Sequence, residues 1–189
     1  MGYRFYRYRQ HATELAPTSG AMGYGLPVAV AAKLKHPERQ VVCFAGDGCF
    51  MTYPQELATA AQYGAAAIVI AVNNGMLGTI RMHQEREYPG RISSTNWQNP
   101  RFAALAHAFG AFGEVVERTE DFPEAFARAQ ARRHSRYARV AYGSTADQAG
   151  VAAGMIATAG GAATRRWCEP PFACCALHAW PVTAALFSA

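Results

Sequence analysis

The amino-acid sequence predicts an α/β fold built on an open parallel sheet with helices on both faces. Two short apolar runs, residues 40–45 and 66–72, have the length and composition of buried strands. A helical pattern at 54–63 separates them, and strand and helix patterns keep alternating as far as residue 131. Alternation of this kind is typical of βαβ units, whose parallel strands are covered by helices.

Each predicted element has its own signals in the sequence. A Gly-rich turn precedes the first helix and Pro37 ends it, while Gly64 ends the second helix. Asp121 and Pro123 mark the start of the last helix. In chain order we expect a helix at 27–35, a strand at 40–45, a helix at 54–63, a strand at 66–72, helices at 77–87 and 101–109, a strand at 112–116 and a helix at 122–131.

The basic charge of the chain is concentrated in its C-terminal part. Residues 1–130 carry 12 Lys and Arg against 11 Asp and Glu, a balance of +1, and residues 131–189 carry 6 against 2, a balance of +4. The basic and aromatic segment at residues 3–9 has side chains that stack on bases, but seven residues form a small footprint. We favour an ordinary loop or strand edge there, and expect no nucleic-acid partner.

Length, hydropathy and cysteine content predict one cytoplasmic domain. The 189 residues, 51% of them hydrophobic, suffice for one core, and no run of about 18 apolar residues or apolar leader is present. We therefore expect no membrane partner. The odd cysteine count and the absence of a CxxC pair favour free thiols over a disulfide framework or zinc site; the five are Cys43, Cys49, Cys168, Cys174 and Cys175.

Polar residues follow the two apolar strands directly. Asp47 lies in a Gly-Asp-Gly sequence that opens a loop after the first strand, and Asn73 and Asn74 follow the second. Ligand sites of parallel sheets lie beyond the carboxyl ends of the strands, and one βαβ crossover brings the two loops side by side. Carboxylate and amide oxygens suit Mg²⁺ or Ca²⁺, and glycines let backbone N–H groups face an anion. This pattern predicts a cradle for Mg²⁺ and a diphosphate.

Two simpler interpretations are disfavoured. Gly-Asp-Gly and Asn-Asn-Gly are each common turn sequences, but their joint placement after consecutive buried strands favours a ligand site. A dinucleotide site is disfavoured because Gly20, Gly23 and Gly25 have the wrong order for GxGxxG and follow no apolar strand.

In these motifs the chain resembles the thiamine-diphosphate-binding (PP) domain at the C-terminus of acetolactate synthase-like and benzoylformate decarboxylase-like enzymes. That family has GDG and then Asn after about 25 to 30 residues, the length of one crossover, and here Asp47 and Asn74 are 27 positions apart. SGAMGYGLPVA matches the family's G-x-[ML]-G-x-x-L-P-A, with Val28 in place of Ala. The segment HQEREYPGRISSTNWQNPRFAALAHAFG is also similar, and the likeness covers about residues 4–131.

The resemblance implies a set of site residues. Asp47 and Asn74 would bind Mg²⁺ through their side chains, and Met76 through its carbonyl oxygen. The backbone N–H groups of Gly48 and Cys49 would contact the diphosphate. Met22 would hold the cofactor in its bent shape, core packing being the alternative for this side chain, and the Gly20 carbonyl would accept from the aminopyrimidine. The implied cofactor-binding set is Gly20, Met22, Gly46, Asp47, Gly48, Cys49, Asn74 and Met76.

The same resemblance limits the expected activity. In the family, the Glu that activates the cofactor lies on a pyrimidine-binding domain, and no Glu of this chain matches it. We therefore expect thiamine diphosphate and Mg²⁺ binding by a fragment of a lyase or transferase acting on 2-oxo acids, inactive by itself and with no catalytic residue in this chain. The alternative is a non-catalytic binding or interaction module that needs a separate pyrimidine-domain chain. Family members are dimers or tetramers.

The domain boundary is expected at residue 131. Residues 1–131 would form the PP domain without its first strand and helix, and 132–189 an atypical, poorly packed tail with the final sheet strand absent or replaced. The tail lacks clear periodicity, and Met155-Ile156 must be encoded ATG-AT, which places a TGA stop in the shifted frame. We interpret the tail as frameshifted; the alternative is a real subdomain with Cys168, Cys174 and Cys175 in its core.

Overall fold

The computed structural model describes residues 11–132 and the backbone of two tail strands at 139–144 and 183–187. The aromatic segment at 3–9 and the three tail cysteines lie outside the described residues. The helices and strands are β1 (Glu14–Leu15), α1 (Gly25–Lys35), β2 (Gln40–Gly46), α2 (Asp47–Thr52), α3 (Glu56–Tyr63), β3 (Ile68–Asn73), α4 (Gly78–Glu87), α5 (Phe102–Ala108), β4 (Phe112–Val116), a 3₁₀ turn (Thr119–Asp121), α6 (Phe122–Ala131), β5 (Arg139–Ser144) and β6 (Thr183–Phe187).

The strands form one six-stranded sheet in the order β1-β6-β2-β3-β5-β4. Strands β2, β3, β5 and β4 pair in parallel, and this part confirms the predicted open parallel sheet. At the other edge β6 pairs antiparallel with both β2 and β1, which was not predicted. Antiparallel edge strands on an otherwise parallel sheet are common in α/β folds.

Alternate residues of the central strands face two different layers of helices. Val41, Cys43 and Ala45 of β2 belong to a core cluster with residues of α1, α2, α3 and α5. Val42 of β2 instead packs with Ile68 and Ile70 of β3 and with α6. Because successive side chains of a strand point to opposite faces, this alternation places helices on both sides of the sheet, as predicted.

The element boundaries agree with the sequence except around Asp47. The strand at 112–116 and the helix at 122–131 have the predicted bounds, and the other shared elements shift by one or two residues. The predicted loop at Gly-Asp-Gly is wrong: Gly46 ends β2 in an extended conformation and Asp47 starts α2. Burial of Cys49 and Phe50, 8% and 1% exposed, favours a helix at a sequence whose local propensity favours a turn.

The tail contributes two strands to the sheet. Residues 139–144 form β5, which lies between β3 and β4, in the region where the final strand is expected to be absent or replaced. Helix α6 ends at Ala131, and the domain boundary expected at this residue stays a prediction. The frameshifted origin of the tail stays a prediction, and the packing of its side chains lies outside the described residues. Among the residues described, no helix has the length and apolar character to cross a membrane.

Candidate functional site

The carboxyl ends of β2 and β3 bring the start of helix α2 next to the polar loop that follows β3. Gly46 and Val72 are partners in the parallel register of these strands, so Asp47 and Asn73 follow at the same edge. The Gly75 N–H donates to Asp47 Oδ2 at 2.9 Å. The start of α2 and the loop after β3 therefore meet beyond the ends of adjacent strands, as the crossover length predicts.

The Asp47 carboxylate is buried and accepts hydrogen bonds from four groups of the described residues. Its Oδ1 accepts from the Gly48 N–H at 2.9 Å. Its Oδ2 accepts from the Gly75 N–H at 2.9 Å, the Asn99 amide at 2.6 Å and the Trp97 indole at 3.3 Å. Only 3% of Asp47 is exposed, and none of the ion pairs among the described residues involves it. A buried negative charge held by neutral donors fits a site that receives a cation.

The two asparagines after β3 have different surroundings. Asn73 Oδ1 accepts from the Gly75 N–H at 3.0 Å and from the Asn99 amide at 2.8 Å, which places Asn73 beside Asp47. Asn74 Oδ1 accepts from the Met76 N–H at 3.2 Å, within its own loop. Adjacent residues at a strand end point in different directions, which separates the two amides. The structure thus joins Asn73 to the Asp47 network, and Mg²⁺ ligation by Asn74 and Met76 stays a prediction.

A segment at residues 95–99 covers Asp47 at the start of α2. Met76 and Asn96 form an antiparallel bridge, with Leu77 N–H donating to the Thr95 carbonyl and Trp97 N–H donating to the Gly75 carbonyl. This pairing places the Trp97 ring against Gly48, where an added Cβ atom would lie 2.7 Å from Trp97 Cζ2.

Neither Trp97 nor Asn99 is among the predicted site residues. They lie 50 and 52 positions from Asp47. The signals in the sequence were the amide-rich stretch STNWQNP and the similarity of the segment that contains it to the same family.

The loop before α1 lies next to the same site. An added Cβ on Gly23 would meet Tyr53 and Thr52 within 2.8 Å, so the loop packs against the end of α2. Gly20 begins this loop, and Met22 brings its Cε within 3.2 Å of a Cβ added to Gly48. Since Met22 is 41% exposed, core packing does not account for it.

The predicted diphosphate contacts differ in their surroundings. A Cβ added to Gly46 would meet no atom of the described residues within 4 Å, so the described part of the chain leaves space beside this residue. The Gly48 N–H points to Asp47 Oδ1.

The two described cysteines are buried. Burial raises the pKa of the Cys49 thiol and raises the pKa of the Cys43 thiol to about 12, so both thiols are protonated at neutral pH. Both are free, which confirms the cysteine prediction for the described part of the chain.

The residues present fit a hard cation and an anion better than a softer metal. No group of three or more His, Cys, Asp or Glu side chains forms a metal cluster within the described residues. The polar atoms at the edge are one carboxylate, amide oxygens and backbone groups, the oxygen-rich set that Mg²⁺ accepts. The open space at Gly46 is the side from which a ligand can approach.

Comparisons with known proteins identify a family. Residues 1–140 match the family model described as thiamine pyrophosphate enzyme, C-terminal TPP binding domain. The chain is 48% identical over 93 residues to an acetolactate synthase of Arthrospira platensis, covering 48% of this chain and 16% of that protein. It is 45% identical over 96 residues to the acetolactate synthase large subunit of Haemophilus influenzae, covering 50% of this chain and 17% of that protein.

A solved structure is similar as well. The thiamine diphosphate-dependent 4-hydroxybenzoylformate decarboxylase of Rhodococcus jostii RHA1 matches with a TM-score of 0.61 and 34% identity, over 67% of this chain and 23% of that one. The chain spans less than a fifth of the length of the two acetolactate synthases. The family match extends over most of the chain and includes every predicted site residue. The chain therefore belongs to the family of C-terminal TPP-binding domains of thiamine pyrophosphate enzymes, TPP being thiamine diphosphate.

Proposed function

We propose that this chain binds thiamine diphosphate through Mg²⁺ held at Asp47, as the cofactor-binding part of an acetolactate synthase-like lyase or transferase acting on 2-oxo acids. The observation that carries the proposal is the buried Asp47 carboxylate, which has four neutral donors at the joined ends of β2 and β3. A divalent cation at this point would balance a buried charge, and a diphosphate would complete the shell of oxygens.

Three protein oxygens would bind the proposed ion. Asp47 supplies a carboxylate, and Asn74 and Met76 supply an amide oxygen and a backbone carbonyl from the next loop. Asn73 Oδ1 already accepts from two donors, whereas Asn74 Oδ1 accepts from one backbone N–H at 3.2 Å. The Asn74 amide can therefore turn to an ion at a smaller cost in hydrogen bonds, which supports Asn74 over Asn73 as the ligand.

The other predicted residues would fix the cofactor's position. The space beside Gly46 would admit a diphosphate. The resemblance assigns the diphosphate the N–H groups of Gly48 and Cys49, and the Gly48 N–H would then be shared with Asp47 Oδ1, to which it donates in this structure. Met22 is exposed next to Gly48, where a bulky apolar side chain can support a bent cofactor, and the Gly20 carbonyl lies in the same loop. When bound, thiamine diphosphate supplies the carbanion chemistry, and the protein supplies orientation and proton transfer.

We further propose that the chain works in the cytoplasm and in contact with another domain or subunit. Free buried thiols at Cys43 and Cys49 suit a reducing compartment. Helix α4 has no buried residue. Its apolar residues Ile80 and Met82 are each about half exposed to solvent. A helix in that state is typical of a surface that another domain or subunit covers. The dimers or tetramers of the family are one such arrangement.

Calorimetric titration with thiamine diphosphate and Mg²⁺ tests the proposal. We expect saturable heat from the wild-type chain that disappears in EDTA and in both Asp47→Ala and Asp47→Asn, the second of which keeps the side-chain shape. Asp121→Ala is the matched control, because it removes an exposed carboxylate far from the site in sequence and leaves the Asp47 network intact. A folded wild-type chain without heat would refute binding, and heat that persists in EDTA would refute the role of Mg²⁺.

Turnover is a separate test. The resemblance places the activating Glu outside this chain. We therefore expect the chain to bind cofactor without consuming pyruvate. Rapid pyruvate consumption by the purified chain would show that the Glu is not needed.

A further inference from the structure

One amide group joins both strand ends to the segment that covers them. The Asn99 Nδ2 atom donates to Asp47 Oδ2 at 2.6 Å and to Asn73 Oδ1 at 2.8 Å. Building on the proposed function, we propose that Asn99 is a positioning residue for the metal ligand Asp47: it holds Oδ2 and leaves Oδ1 to face the ion.

The hydrogen-bond network fixes the orientation of the Asn99 amide. The Gly75 N–H can only donate, and it points to Asn73 Oδ1 at 3.0 Å, so the atom that Asn73 presents there is its oxygen. Asn99 then lies between this carbonyl and a carboxylate, two acceptors. Only its NH₂ group, with two hydrogens, satisfies both at once.

The two oxygens of Asp47 are occupied unequally. Oδ2 accepts from Gly75, Asn99 and Trp97, whereas Oδ1 accepts from Gly48 alone among the described residues. A carboxylate has about four acceptor positions, two on each oxygen. The capacity that remains for a cation is therefore on Oδ1, and the donors on Oδ2 decide which way the carboxylate plane is turned.

Among the side chains that donate to Oδ2, Asn99 is the strongest candidate for orienting the Asp47 carboxylate towards the ion. Its contact is the shortest of the three, and the Trp97 indole lies at 3.3 Å, a longer and weaker bond. Groups that hydrogen-bond a metal-ligating carboxylate orient it, and their loss typically lowers metal affinity about 10- to 100-fold. We expect a change of that size when the Asn99 amide is removed.

The main test titrates Mg²⁺ at fixed thiamine diphosphate and follows cofactor binding by calorimetry. Asn99→Leu keeps the approximate shape and removes the donors. It should raise the Mg²⁺ concentration for half-maximal binding about 10- to 100-fold, while the cofactor affinity at saturating Mg²⁺ returns close to wild type. Trp97→Phe removes only the longer hydrogen bond and should produce a smaller shift. Asn99→Ser replaces Asn99→Leu if the leucine variant does not fold.

Asn96→Leu is the matched control. Asn96 lies in the same segment and uses its amide oxygen to accept from Arg81 at 2.9 Å, a bond that does not involve Asp47. The Mg²⁺ midpoint of this variant should equal that of the wild type. An equal shift in Asn96→Leu and Asn99→Leu would show a general effect of the segment and overturn the specific role of Asn99.

A metal-free measurement tests the contact itself. Thermal melts in EDTA give the loss of stability in Asn99→Leu, in Asp47→Ala and in the double variant. The double variant should lose less stability than the sum of the two single losses, because residues in direct contact are energetically coupled. Additive losses would overturn the inference.

The outcomes separate the two proposals. A wild-type chain without Mg²⁺-dependent binding overturns the proposed function together with the metal role of Asn99. A wild-type chain that binds, with an Asn99→Leu variant at the same Mg²⁺ midpoint, overturns this inference alone.

Discussion

Gly75 donates its backbone N–H to Asp47 Oδ2 at 2.9 Å across 28 sequence positions. The same N–H lies 3.0 Å from Asn73 Oδ1, so a single backbone group connects the two strand ends. Gly75 adopts a φ of 65°, in the left-handed region that side chains disfavour. The direction of this N–H therefore depends on a backbone conformation that glycine permits.

Gly75→Ala should lower stability and Mg²⁺ affinity together. A Cβ there would lie 3.6 Å from the Trp97 carbonyl oxygen, an ordinary contact, so the cost is backbone strain of about 1–2 kcal/mol. Gly64→Ala is the control, because Gly64 has a φ of 67° and open space around it at the end of α3, away from the site. Urea denaturation should show similar losses for both variants, and Mg²⁺ titration a loss for Gly75→Ala only. If Gly75→Ala and the wild type had equal Mg²⁺ midpoints, the role given to the Gly75 N–H would be contradicted.

Gly46→Ala should leave the fold intact and weaken cofactor binding. Gly46 has a φ of −68°, which any residue adopts, and the added methyl group would meet no atom within 4 Å among the residues that the structure describes. The change in stability should stay within about 0.5 kcal/mol, as for most unconstrained sites. The methyl group would occupy space assigned to the diphosphate, so calorimetry at saturating Mg²⁺ should show weaker binding. Unchanged affinity would mean that the cofactor does not pass beside Gly46.

Gly48→Ala should displace the Trp97 ring. The new methyl group would lie 2.7 and 2.8 Å from two ring carbons, closer than real contacts allow, and Trp97 is 38% exposed, so the ring has room to move outward. We expect tryptophan emission to shift to longer wavelength as the ring becomes more exposed. The chain has three tryptophans, so the shift must vanish in a Trp97→Phe background. Persistence of the shift there would assign it to another tryptophan.

Cys43 should make the folded state less stable at alkaline pH. Burial raises its pKa from 9.0 to about 12, so between these values the folded chain keeps a proton that the unfolded chain releases. The protonated Cys43 thiol makes its full contribution to the free energy of unfolding below pH 9. This contribution is lost as pH rises towards 12, by about 1.4 kcal/mol per pH unit.

Urea denaturation at pH 8 and pH 10 measures this effect. Between these two pH values, the free energy of unfolding of the wild type should fall by about 1.4 kcal/mol more than that of Cys43→Ala. Comparison with this variant cancels the Tyr and Lys groups that titrate in the same range. Parallel pH profiles would show that Cys43 ionises as easily in the folded chain as in the unfolded one.

Local signals predicted the regular elements well. Strand β4 and helix α6 have the predicted bounds because apolar runs and start signals act within a few residues. Gly-Asp-Gly was predicted as a loop and begins a helix, since the burial of Phe50 against Phe102, with ring centroids 5.1 Å apart, outweighs turn propensity. Turn propensity is a local average, whereas this burial depends on a residue 52 positions away.

The sequence by itself determined the βαβ spacing and the meeting of Asp47 with the Asn73-Asn74 loop at one sheet edge, because these follow from periodicity and from the length of one crossover. Its motifs carried the resemblance to the family that the match over residues 1–140 shows. Only the tertiary structure decided that Asn73 shares donors with Asp47, that Trp97 and Asn99 complete the set, and that β6 joins the sheet antiparallel. Hydrogen bonds require partners within about 3 Å at suitable angles. Sequence spacing places residues at a sheet edge, and packing selects which of their atoms meet.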